Sequence, residues 1–117
     1  MARYRLSGPA QVDVSHILRA SKAQHGNDAR TRYRGLLAAA MRRAAVEPLG
    51  PLTVDRGELP AGLRSLHVRH CRKESREGLV SEPVHVIFYR FVEPGVIEIV
   101  RVLHDRMESA PHVTTYR

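Results

Sequence analysis

Apolar positions along this chain first alternate with polar ones, then recur at helical spacing, then alternate again. In RYRLS (Arg3–Ser7), Tyr4 and Leu6 alternate with Arg3 and Arg5, which predicts a short strand with one buried face. Ser7 suits an N-cap, and Pro9 falls in the first helical turn, where its missing N–H costs nothing. Ala10, Val14, Ile17, Leu18 and Ser21 then follow a helical period, and Gly26 is placed to end that helix. Asn27 is expected to cap a second helix with the stripe Ala29, Tyr33, Leu36, Leu37, Ala40 and Ala44, which Glu47-Pro48 stops.

The second half changes period. Residues 48–62 are rich in Pro and Gly and read as a connecting loop. LRSLHV (Leu63–Val68) alternates as a strand. HCRKESREGLVSEP (His70–Pro83) is polar and charged and reads as a long, mobile hairpin loop. VHVIFYRFV (Val84–Val92) is the strongest strand pattern. Glu93-Pro94-Gly95 turns the chain, and Val96–His104 returns antiparallel to it. The tail, 105–117, has weak patterning and is expected to be partly flexible. The whole, 1–117, reads as a single α+β domain: an N-terminal strand, then a helical hairpin packed on a small antiparallel β-sheet, in the order β-α-α-β-β-β.

Strict alternation sorts the strand side chains into faces. Val84, Val86, Phe88, Arg90 and Val92 share one face of their strand, and His85, Ile87, Tyr89 and Phe91 the other. On the last strand, Ile97, Ile99, Arg101 and Leu103 oppose Val96, Glu98, Val100, Val102 and His104. Arg64, Arg90 and Arg101 thus bring one arginine each to three successive strands. If they converge, they form a cationic site at the centre of the sheet.

Charge sharpens the question of partners. The 117 residues carry 19 Lys+Arg against 12 Asp+Glu, a net +7, and only Lys22 and Lys73 are lysines. Arginine pairs bidentately with carboxylate or phosphate, so an acidic partner, nucleic acid or protein, is expected. A GC-rich genome that prefers Arg codons is the bland explanation. The single Cys71 forms no internal disulfide, which fits a reducing, cytoplasmic setting. No signal segment, membrane span, zinc spacing, phosphate loop or nucleophile elbow is apparent, so no cofactor, metal or membrane association is expected.

Three chemistries suit the arginines. Arg101 could pair with Glu98 or Asp105 and only knit the sheet. The arginines could grip the carboxylates of a protein partner. Or, with His104 and Tyr89 as proton-transfer groups and Arg90 and Arg101 as cations, they could serve a ribonuclease, which needs a base, an acid and a cation for the phosphorane. His16, His25, His67, His70, His85 and His112 are scattered along the chain and receive no role.

YRLSGPAQVDVSHILRASKAQHGNDARTRYRGLLAAA, GLRSLHV, HVIFYRF and GVIEIVRVLHDRME occur in an order that resembles the ParE branch of the RelE/ParE toxin superfamily over residues 4–108. The resemblance implies a toxin of a type II toxin–antitoxin module, as in plasmid stabilisation, neutralised by a cognate ParD-like antitoxin and meeting operator DNA only through it. It further implies binding of DNA gyrase without catalysis. RelE-like relatives suggest the alternative, a ribosome-dependent mRNA endoribonuclease using His104 and Tyr89. Arg64, Arg90, Arg101, His104 and Arg106 are the expected contacts to target or antitoxin, with Tyr33, Leu37 and Ala40 partly at that interface. The segment 70–83 is longer than such a resemblance leads one to expect.

Overall fold

The computed structural model describes residues 2–59, 62–107 and 109–113. β1 (Arg3–Leu6) leads through Ser7 into α1 (Gly8–His25), whose cap forms as the sequence predicts: Ser7 Oγ accepts the Ala10 N–H at 3.1 Å. α2 (Asn27–Val46) follows after one residue. Gly26 therefore ends one helix and starts the next. Its N–H donates to Lys22 O at 2.9 Å, and its own carbonyl accepts Arg30 N–H at 3.1 Å. Its φ of +90° is why glycine stands there. Asn27 is consequently inside α2, and no side chain caps that helix, contrary to expectation.

The sheet has five strands in the order β1-β5-β4-β3-β2, formed by β2 (Val54–Asp55), β3 (Arg64–His67), β4 (His85–Glu93) and β5 (Val96–His104). Two features depart from the predicted antiparallel meander. β1 pairs with β5 in parallel, from Arg3↔Val96 to Leu6↔Ile99, so the sheet is mixed. And the presumed loop 48–62 contributes β2, a two-residue strand beside β3 that is too short to leave a period-two signal.

α1 and α2 cover one face. Leu18, Tyr33, Leu36, Leu37, Ala40 and Ala44 pack with Leu66, Val68, Ile87, Tyr89, Ile97, Ile99 and Val102. The other face is also closed. Leu59, Leu63, Phe88, Val100, Leu103 and Val113 form a second cluster there, with Val113 supplied by a short helix, α3 (Ala110–Val113). Val113 is fully buried; of the tail, residue 108 and the last four residues lie outside the described ones.

Segment 70–83 is not simply a loop. Val68–Glu74 winds into a 3-10 helix with Cys71 buried, and Arg72 Nε donates to Val80 O at 2.9 Å. Arg43 on α2 ion-pairs with Glu74. Gly35 lets the segment lie close: a Cβ there would sit 2.6 Å from Glu77 Cβ.

The face assignment on β5 needs one correction. Phe88 pairs with Arg101 but Tyr89 with Ile99, so Val100 is an extra residue, a β-bulge. Ile97 and Ile99 face the helices as alternation predicts, but beyond the bulge Val102 does so in place of Arg101 and Leu103.

Candidate functional site

The three sheet arginines do not converge. Arg64 shares the helix side of β3 with Leu66, and its Nη2 donates to Thr53 Oγ1 at 2.8 Å. Arg90, on the opposite face of β4, holds Glu98 at 2.9 Å, and Glu98 lies 3.5 Å from Arg5 on its other side. Arg101 is bound to neither Glu98 nor Asp105. Its Nε and Nη2 donate to the two carboxylate oxygens of Asp13 at 2.7 and 2.9 Å, and its Nη1 to His112 O at 2.8 Å. The bulge and the end of β1 explain this arrangement. β1 stops beside Ile99, leaving the rest of β5 as an open edge. α1 closes that edge: Ser7 Oγ donates to Val100 O at 2.9 Å, and Asp13 Oδ2 accepts Val102 N–H at 2.9 Å.

The other candidates sort by burial. Leu37 and Ala40 are interior, and Tyr33 is nearly so. Tyr89 is wholly buried, its hydroxyl donating to Pro48 O at 2.6 Å, and burial pushes its pKa up. It pairs with Ile99, whereas His104 pairs with His85 four residues along β4, so the two proton-transfer candidates stand about 13 Å apart. His104 and Arg106 reach the surface.

What the fold does assemble is a cleft of about 940 Å³ between the helical corner, the 79–84 segment and the strand ends. Its lining includes His16, Ile17, Arg32, Tyr33, Leu79, His85 and His104. Tyr33 Oη lies 2.5 Å from His85 Nδ1 and accepts Val84 N–H at 3.2 Å. The His85 and His104 rings meet edge to face, 5.6 Å between centroids. Asp105 continues the row: its Oδ2 accepts His67 Nε2–H at 3.0 Å, and its Oδ1 lies 3.3 Å from His104 Nδ1. Burial, with His104 close by, holds His85 down to about 4, so it is neutral at pH 7. The hydrogen bond from His67 holds the Asp105 carboxyl below the usual range. Burial raises the Tyr33 hydroxyl, against backbone N–H groups that lower it. At neutral pH the Tyr33 hydroxyl is therefore protonated, the His85 ring uncharged and the Asp105 carboxyl ionised. Among the described residues, no set of three or more His, Cys, Asp or Glu side chains is placed to hold a metal ion.

Residues 4–109, the hairpin and the sheet together, match the family described as ParE toxin of type II toxin-antitoxin system, parDE. The chain belongs to the ParE toxin family. Two relatives, each named Toxin ParE1 and from Mycobacterium tuberculosis strains CDC 1551 / Oshkosh and ATCC 25618 / H37Rv, are 33% identical to it over 107 residues. The alignments cover 92% of this chain and 93% of each relative. The family places the chain in a toxin–antitoxin system, with an antitoxin as partner. No helix among the described residues is long and apolar enough to cross a membrane.

Residue type and spacing alone do not single out His85, His16 or Asp13. Asp13 lies in the AQVDV stretch of the first helix, but nothing in that stretch names Arg101 as its partner. The pairing of His85 with His104 was within reach. Counting outward from the Pro94-Gly95 turn gives it correctly, because a second irregularity between Phe91 and Glu93 offsets the bulge at Val100.

Proposed function

We propose that this protein is the toxin of its module and acts by binding DNA gyrase, not by cleaving a substrate, and that a cognate antitoxin silences it by binding. The carrying observation is the family match, which spans both the helical hairpin and the sheet. The burial of Tyr89 in the core supports binding over catalysis, since it separates the two groups a ribonuclease would use together. The net charge of +7 suits an acidic antitoxin segment. His104, Arg106 and the half-buried Arg90 are the proposed contacts to target or antitoxin. Arg64 and Arg101 hold the surface behind them in shape, and Tyr33, Leu37 and Ala40 support it from the core.

The test is supercoiling of relaxed plasmid by purified gyrase and ATP, with increasing protein and then with antitoxin added. The expected result is loss of supercoiling or trapped cleaved plasmid, reversed by the antitoxin. Unchanged supercoiling by a toxic preparation, with messenger RNA cut on ribosomes, would replace this reading with the endoribonuclease one.

A further inference from the structure

The tautomers of His85 and His104 are set by what their Nδ1 atoms accept. Tyr33 Oη already takes the Val84 N–H, and its one proton has His85 Nδ1 at 2.5 Å as acceptor. His104 Nδ1 accepts the backbone N–H of Arg106 at 3.1 Å, with Asp105 Oδ1 3.3 Å from the same nitrogen. An imidazole whose Nδ1 accepts carries its proton on Nε2. Each ring therefore presents an Nε2–H donor. Neither donates to a described residue, and neither is among the buried atoms left without a partner, so neither is sealed from solvent; both rings line the cleft.

The surroundings suit an anion. Arg32 lines the same cleft and makes no ion pair with a described residue, while Glu82 is the sole carboxylate among the lining residues. Ile17, Ala20, Leu79 and Val80 supply apolar wall, and Leu79 is otherwise an exposed leucine. A cleft of this size holds a small organic molecule rather than a bare ion.

We propose that the cleft binds a small organic oxyanion, a carboxylate or phosphate monoester on an apolar body, whose oxygens accept the Nε2–H groups of His85 and His104. N–H donors on two adjoining rings bind an oxyanion with charge-assisted hydrogen bonds, and an uncharged His85 leaves no second full charge to be buried there. The apolar body lies along Ile17, Leu79 and Val80, and Arg32 adds attraction at longer range. Toxin activity plays no part in this argument, and the site stands or falls without it.

The experiment is imidazole ¹H–¹⁵N correlation spectroscopy of the ¹⁵N-labelled chain at neutral pH, titrated with phenyl phosphate, with benzoate and with benzyl alcohol. Saturable shifts at Nε2 of both His85 and His104 are expected with at least one acid and not with the alcohol; the acid that saturates at lower concentration assigns the head group. His104→Ala, at a half-exposed position, is expected to weaken binding about tenfold or more. Tyr33→Phe removes the donor that sets the His85 tautomer, so a mixture of tautomers should appear in the ¹⁵N shifts together with weaker binding. Absence of saturable shifts with either acid, equal shifts with benzyl alcohol, or unchanged affinity in a folded His104→Ala protein would overturn the proposal. His104→Ala decides the matter should Tyr33→Phe fail to fold.

Discussion

Replacing Asp13 by alanine removes its bidentate grip on Arg101 and the acceptor for Val102 N–H together. The expected loss is about 2–3 kcal/mol, short of a fully buried pair because water still reaches both side chains. Urea unfolding should show a lower midpoint at unchanged slope, and Asp13→Ala with Arg101→Ala should cost less than the two singly, because neither partner is then left stranded. His85 gives a pH signature. Its ordinary value is 6.5 and its folded value about 4, so across that window the unfolded chain holds a proton that the native one lacks. Stability from this source is complete above pH 6.5, falls as the pH drops toward 4, and falls no further below it. Asp105, held low by His67, loses its contribution in the more acid range, as the pH passes down through its depressed folded value. His85→Gln should flatten the part of the stability curve between pH 6.5 and 4, measured by urea unfolding at a series of pH values.

At the scale of elements, periodicity served where the pattern repeats, even in the four residues of β1 and of β3. α1, α2, β4 and β5 were legible to within a residue or two because each repeats its pattern over at least nine residues. β2 has two residues and no period to display. The 3-10 helix was hidden for another reason: its charged residues point outward while Val68 and Cys71 alone anchor it, too few apolar positions to rise above a polar run. Face assignment failed on β5 because one inserted residue inverts all that follows, and alternation carries no mark of an insertion. The histidine row was illegible as a group, since its members come from α2's neighbour β4, from β5 and from β3, and only the assembled sheet sets them side by side. The docking of segment 75–78 on α2 can be tested through Gly35. Gly35→Ala should collide with the Glu77 Cβ, lift that segment and cost about 1–3 kcal/mol, read as lower stability and faster amide exchange around residues 75–80.

For the whole molecule, the sheet is covered on both faces. The helical hairpin covers one face, and Leu59, Leu63 and Val113 of α3 pack on the other over Phe88, Val100 and Leu103. Val113→Ala should therefore cost about 1–2 kcal/mol, despite lying close to the chain end; a thermal melt with no shift would show that α3 contributes nothing to the second cluster. The family match ends at residue 109, so α3 is a part of this chain that the shared pattern does not describe. The parallel pairing of β1 with β5 joins Arg3 to Val96, the first strand to the last. On a ribosome, the first strand made must wait for the last. The hairpin can coil early, but its sheet has no centre until residues 85–104 have emerged, and β1 has no partner before then. A protein so wired stays unfinished through most of its own synthesis, and a partner present as residues 85–104 emerge meets the fold while it is closing.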